Sequence, residues 1–196
     1  MFKKFSSGIL IIILIVLLVA YVIVRFAGDK ERTFKDKVLT FEPATIDQVL
    51  IQNPGKPLVE LHLSGGKWVV MENGQEFAAD TNAVKGMLKQ LSDLPTKRYA
   101  GKGKDVWRKY EVTDSAGTLV TLNTSNKEVA KIYIGKFSYS MPKDQQQQQY
   151  RQQQGDMTTF VRLADEKDVY AVDGFLKMSF NRDASQFKAK SPDPDN

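Results

Sequence analysis

The sequence predicts an α+β fold: an N-terminal transmembrane helix followed by a mainly antiparallel β domain with one clear amphipathic helix and one or two short helices. Three observations predict it. Residues 9–24 form an unbroken apolar run, several later stretches alternate apolar and polar residues, and one stretch repeats its apolar residues with helical spacing.

The apolar run comes first. Between Ile9 and Val24 only the amphipathic Tyr21 departs from aliphatic character. As a helix rising about 1.5 Å per residue, residues 6–28 span roughly 34 Å, enough to cross a hydrocarbon core of about 30 Å. Arg25 falls at the edge, where its stem can snorkel toward the headgroups. Lys3 and Lys4 ahead of the run would also suit a secretory signal. The run is longer than the roughly 7 to 15 residues of such a region, however, and no small-residue pair precedes a cut: Leu18 stands two before Ala20, and Arg25 two before Ala27. The expectation is an uncleaved anchor over residues 1–28 that embeds in membrane lipid.

Orientation sets two arguments against each other. Arg25, Lys30, Arg32, Lys35 and Lys37 follow the run while only Lys3 and Lys4 precede it, which favours an inward domain. The signal-like order of basic start and apolar run, and the indifference of long translocated domains to flanking charge, favour an extracytoplasmic one. The second pair of arguments is preferred.

Charge excludes one class of partner. The formal +5 includes Lys3, Lys4 and Arg25, and without them 25 basic residues face 23 acidic ones, leaving +2. No nucleic-acid partner is expected of so balanced a domain. The absence of cysteine rules out disulfides, thiol catalysis and Cys-ligated metals, without choosing a compartment.

Residues 29–40 are charged and read as a juxtamembrane linker, with one soluble domain over 41–190 and a disordered tail over 191–196. Within the domain a strand is expected at 46–51. Val59, Leu61 and Leu63 then alternate with Glu60, His62 and Ser64, and Ser64-Gly65-Gly66 turns the chain into a second strand over 68–71. Val84, Met87, Leu88 and Leu91 lie on one stripe of a helix that Asp80 or Thr81 is placed to cap and Pro95 to stop. Strands resume over 118–122, 130–134, 158–163 and 168–172 as two hairpins, and Asp173 is placed to cap a short helix through Phe175, Leu176 and Phe180. The two strand blocks suggest a degenerate repeat without a strict spacing. Residues 141–157, dominated by glutamine, hold too little apolar surface to offset ordering entropy and read as a mobile loop.

No catalytic, cofactor or metal motif emerges. His62, the single histidine, falls on the polar side of its strand and reads as a surface residue. Asp165, Glu166 and Asp168 carry oxygen ligands suited to hard cations but sit in a charged turn without a calcium-loop spacing. Gly101-Lys102-Gly103-Lys104 lacks the Ser or Thr of a phosphate loop. Around it Lys97, Arg98, Lys102, Lys104, Arg108 and Lys109 gather against Asp105 alone, interleaved with Tyr99, Trp107 and Tyr110. Such a segment can meet an acidic partner or anionic headgroups. In the alternative the aromatics pack inward and the cations are merely solvated. Lys97, Arg98, Lys102, Lys104, Trp107, Arg108 and Lys109 are therefore the candidate partner-binding residues.

Several fragments together resemble a known family. They are Ile46-Asp47-Gln48-Val49, Gly65-Gly66-Lys67-Trp68-Val69-Val70, Ala79-Asp80 ahead of the helix, and Ile132-Tyr133-Ile134-Gly135-Lys136, followed by Phe160-Val161-Arg162-Leu163, Val169-Tyr170-Ala171-Val172-Asp173 and Asn181-Arg182-Asp183-Ala184-Ser185-Gln186-Phe187. In this order they resemble the bacterial domain of unknown function 4340. One departure is Trp107-Arg108-Lys109-Tyr110-Glu111-Val112, where relatives often carry Tyr-Gly-Leu; relatives are also often longer. The resemblance implies a single-pass protein of the bacterial cytoplasmic (inner) membrane that accompanies ABC-type export or gliding-motility components. It implies no catalytic residues. The expected function is an accessory or scaffold domain binding a membrane-protein partner, with an enzyme or binding protein acting on envelope polymer as the rival.

Overall fold

The computed structural model describes residues 14–19, 21, 35–140 and 156–189. The chain divides into two compact units, Met1–Phe34 and Lys35–Asn196. In the first, residues 14–19 and 21 are helical with exposed side chains; the rest of the expected membrane helix lies outside the described residues. Among the described residues no helix is long and apolar enough to cross a membrane. Most of the glutamine-rich stretch and the tail at 191–196 also fall outside the described residues.

The second unit is an α+β domain built on an antiparallel sheet. Its first half is a meander of β2 (Gln48–Gln52), β3 (Val59–Ser64), β4 (Lys67–Glu72) and β5 (Gln75–Ala78). Two-residue turns join the last three strands. Both central residues of each have positive φ, at Gly65-Gly66 and Asn73-Gly74, as the tight turns matching strand twist require. The second half is a meander of β8 (Thr118–Thr124), β9 (Lys127–Ser140), β10 (Asp156–Leu163) and β11 (Asp168–Asp173). β7 (Arg98–Lys102) adds to the edge beside β11. The halves meet at β2 and β8, which pair antiparallel with Leu50 opposite Thr121. This pairing relates the two meanders by a local two-fold axis normal to the sheet.

One face of the sheet holds the main core. Alternation sends Val49 and Ile51, Leu61, Val70, Val120 and Leu122, and Ile132 and Ile134 to this face, where they are buried. Helix α1 (Thr81–Ser92) covers it with Val84, Met87, Leu88 and Leu91. The Asp80 carboxylate caps α1 by accepting from the Asn82 and Ala83 N–H groups at 3.0 and 3.1 Å. After the second meander, α3 (Lys177–Phe180) and a 3-10 turn (Ala184–Phe187) bring Phe180 and Phe187 to the same face. Each such fully buried side chain contributes roughly 1.5–3 kcal/mol.

The structure departs from expectation at several points. The last residues of the supposed linker form β1 (Lys37–Thr40), paired with β6 (Asp93–Pro95), and Val38 is buried in the core. A strand of four residues is too short to give an alternation to detect. The main helix ends at Ser92 rather than at Pro95, because the chain turns directly into β6. Residues 98–102 and Lys104–Lys109 are a strand and a short helix, α2, where no element was expected. Asp173 ends β11 and does not cap α3, whose N-cap is Leu176. Asp156 and Met157, placed in the glutamine-rich loop, open β10.

Candidate functional site

The basic and aromatic segment maps to β7, an edge strand of the sheet whose Tyr99 packs against the main core, and to α2 and the turn that follows, on the opposite sheet face. There a second, smaller core forms from Val112, Tyr133, Phe160, Val169 and Ala171, roofed by Ala100, Val106, Trp107 and Tyr110. The chain between β7 and β8 is thus a cover over the second meander.

Arg162 holds that cover in place. Its side chain is buried among apolar residues, which ordinarily carries a heavy desolvation cost. Two kinds of partner offset the cost. The guanidinium lies 4.0 Å from the Trp107 ring centroid and 4.3 Å from that of Tyr133. Its N–H groups donate to backbone carbonyls of Val112 at 3.1 Å, Leu163 at 3.1 Å, Ala164 at 3.2 Å and Glu166 at 3.2 Å. The Tyr133 hydroxyl donates to the Asp114 carboxylate. Burial first, and then that bond, pushes the Tyr133 phenol up from its ordinary pKa.

The candidate residues take different places on this support. Trp107 faces Arg162, and its indole N–H donates to the Lys167 carbonyl at 2.8 Å. Tyr110 stacks on Phe160 with centroids 3.9 Å apart, and Tyr99 meets Tyr170 edge-on. The aromatics therefore pack inward. Lys97 bridges the carboxylates of Asp156 and Asp173, and the bond to Asp156 is the main cause of its raised pKa and of the lowered pKa of Asp156. Arg98 lies 5.3 Å over the Phe160 ring, Lys109 lies 5.3 Å over Tyr110, and Arg108 pairs with Asp105. Lys102 and Lys104 are exposed at the β7–α2 junction. That junction is anchored from behind by a Gly103 N–H bond to the Lys167 carbonyl at 3.1 Å. Lys97 and Arg98 thus stand at one end of β7, and Lys102 and Lys104 at the other.

Sequence reasoning did not single out Arg162, although a lone arginine inside the apolar strand Phe160-Val161-Arg162-Leu163 was a visible signal. It also did not foresee a cavity on the first meander. Counting outward from the central pair, Glu60 faces Leu50 as Lys131 faces Thr121, so His62 in β3 holds the place of Tyr133 in β9. Among the described residues no roof lies over that half. Instead Asp47, Gln48, Glu60, His62, Leu63 and Asn126 line an open cavity of about 300 Å³. Across its floor Gln48 donates to Glu60 at 2.9 Å, and His62 Nε2 lies 3.1 Å from Glu76 Oε1. His62 is partly buried there, and its Nδ1 is enclosed without a hydrogen-bond partner among the described residues. The strand register, rather than proximity in sequence, assembles this group.

Two carboxylates of the Asp165 to Asp168 turn have protein partners. Glu166 accepts from Lys35 and from the Tyr170 hydroxyl, and Asp168 accepts from the Tyr99 hydroxyl at 3.3 Å. Among the described residues no cluster of His, Cys, Asp and Glu is arranged to hold a metal.

A family model described as Domain of unknown function (DUF4340) matches residues 68–192. No curated protein and no solved structure matches the chain.

Proposed function

The chain belongs to the Domain of unknown function (DUF4340) family, and on that premise we propose that it is a membrane-anchored accessory or scaffold domain that binds a membrane-protein partner. The apolar run of residues 9–24 is the proposed single-pass anchor in a bacterial cytoplasmic membrane, with the α+β domain on the extracytoplasmic side. The proposed setting is an ABC-type export or gliding-motility assembly.

The observation that carries this reading is the pairing of rigid support with exposed charge at the β7–α2 junction. Arg162 and the Lys167 carbonyl fix the backbone from behind, while Lys102, Lys104, Arg108 and Lys109 remain exposed in front. Charges held on an ordered backbone lose less entropy when they engage an acidic partner. Replacing Lys102, Lys104 and Arg108 with Ser is expected to reduce partner capture in crosslinking from intact membranes, with little change in folding stability. The residual attraction is expected to weaken with salt, since exposed charges are screened over about 8 to 10 Å. Undiminished capture by the triple variant would reject this surface.

The second reading, an enzyme or binding protein acting on envelope polymer, is favoured by the cavity beside His62. Its polar floor is of a kind that hydrogen-bonds saccharide or peptide groups. Envelope-polymer binding or turnover that His62→Ala abolishes would place the function there.

A further inference from the structure

We infer that residues 190–192 act as a strap along β5, completing a tenth strand that closes this edge of the sheet against strands of other chains. The inference is independent of the membrane-anchored reading above.

β5 stands at one edge of the nine-stranded sheet, and an edge strand carries a row of backbone groups with which another chain can pair. The register identifies those groups. The two-residue turn Asn73-Gly74 makes Glu72 and Gln75 a hydrogen-bonded pair, and the Ala79 N–H donates to the Trp68 carbonyl at 2.9 Å. Gln75, Phe77 and Ala79 therefore bond β4, while the backbone N–H and C=O groups of Glu76 and Ala78 point outward. The chain itself begins to cover this row. The Asp80 N–H donates to the Phe187 carbonyl at 2.8 Å, the Ala189 N–H donates to the Ala78 carbonyl at 2.8 Å, and Lys188 stands opposite Ala79 in an antiparallel bridge. Lys188 is held there by the Glu72 carboxylate and by the Phe77 ring, whose centroid is 3.5 Å from its Nζ. Among the described residues the outward N–H and C=O of Glu76 have no hydrogen-bond partner.

Continuing the same register selects the occupant. Lys190 falls opposite Phe77, Ser191 opposite Glu76 and Pro192 opposite Gln75. The backbone N–H and C=O of Ser191 would then meet the two free groups of Glu76, and its hydroxyl would lie on the same face as the Glu76 carboxylate. Lys190 would take the other face, beside Phe77. At Pro192 the register turns the backbone nitrogen away from β5, so the missing N–H costs no bond, and a proline on the outer side discourages a further strand. The residue before a proline is itself biased to extended backbone, which suits Ser191. The family match runs through residue 192, past the rung at Ala189, so these residues belong to the matched domain. Ala189 is already bonded to β5, which gives the strap a high effective concentration over any strand from another chain. A foreign strand could therefore add at β5 only by displacing it.

Amide hydrogen exchange, read residue by residue on the full chain in detergent micelles, tests the strap. The Glu76 amide is expected to exchange about tenfold or more slowly than in Ser191→Pro, which removes the N–H that meets the Glu76 carbonyl. Pro192→Ala should leave Glu76 as slow as in the unaltered chain, because the restored N–H faces away from β5. The Phe77 amide bonds β4 and should stay slow in all three chains, which reports that the variants fold. Fast exchange at Glu76 in the unaltered chain, with Phe77 slow, would overturn the strap, and that reading does not depend on any variant. Slow exchange at Glu76 that Ser191→Pro leaves unchanged would also overturn it. Protection of Glu76 that grows with protein concentration would assign the edge to a second copy of the chain, and would likewise reject residues 190–192 as its occupant.

Discussion

The Arg162 guanidinium stacks 4.0 Å from the Trp107 ring centroid, joining a strand of the sheet to the short helix that roofs it. The contact is between residues far apart in the chain, and the guanidinium also lies 4.3 Å from the Tyr133 ring centroid. Replacing Arg162 with Met keeps much of the volume but leaves the carbonyls of Val112, Leu163, Ala164 and Glu166 without this donor. The expected loss is about 3 kcal/mol or more in urea unfolding, since each buried unsatisfied group costs roughly 1–3 kcal/mol. Arg162→Lys should recover little of it, because an ammonium cannot stack flat on aromatic rings while serving several carbonyls. A loss below about 1 kcal/mol for the Met variant would show that the cover is held by other contacts.

Gly135 and Gly86 should respond to alanine with opposite signs. A Cβ on Gly135 would lie 2.6 Å from Val112 Cγ1 and closer still to the Tyr110 carbonyl oxygen. That carbonyl accepts from the Lys136 N–H at 2.8 Å, so the two backbones cannot separate without breaking the bond. Gly135→Ala is expected to destabilise by about 2 kcal/mol or more. A Cβ on Gly86 meets nothing within 4 Å on exposed α1, and Gly86→Ala should stabilise by roughly 0.5–1 kcal/mol. Thermal melts of the two variants give the answer directly, and a neutral Gly135→Ala would contradict the close approach.

The stripe on α1 makes a second paired test. Leu88 is buried against the sheet, whereas Lys85 is exposed on the other side of the helix. Leu88→Asp should cost several kcal/mol by burying an unpaired charge, and Lys85→Asp less than about 0.5 kcal/mol. Equal urea midpoints for the two would mean that α1 does not pack as described.

Alkaline pH should weaken the fold through Tyr170. Burial, followed by the nearby Glu166 and Asp168 carboxylates, pushes its phenol up to about 12. In the unfolded chain the group titrates near 10, so between about pH 10 and 12 the unfolded state binds fewer protons and stability falls as pH rises. Below about pH 10 the contribution is fully present. Tyr133, also raised, adds to the same slope. Tyr170→Phe should therefore show a shallower decline of its urea midpoint over that window, and an unchanged decline would remove Tyr170 as a cause.

Particular residues show why some elements were legible and others were not. The alternation of Val59 and Leu61 and the stripe of Val84, Met87, Leu88 and Leu91 report burial on one face, and those elements lie where their periods place them, although Leu63, next in the same alternation, is exposed. Asn73-Gly74 is a strong hairpin signal, yet β5 has no residue buried enough to show an apolar pattern, so it was not anticipated. β7 escaped for a related reason. Its Arg98, Ala100 and Lys102 form an edge strand in which alternation carries charge rather than apolar bulk, as edges that avoid aggregation often do.

By itself the sequence determined the class of the domain, the main helix with its cap at Asp80, most strands of both meanders, and the presence of a concentrated cationic segment. Each of these depends on neighbours within a turn or a hairpin, where periodicity and local hydrogen bonding act. Only the tertiary structure decided that the meanders join through β2 and β8, that Trp107 turns inward to Arg162 while Lys102 and Lys104 remain outside, and that His62 stands beside Glu76 in the other half of the sheet. Those outcomes follow from strand order and register, and a one-residue slip in register would send each of these side chains to the other face.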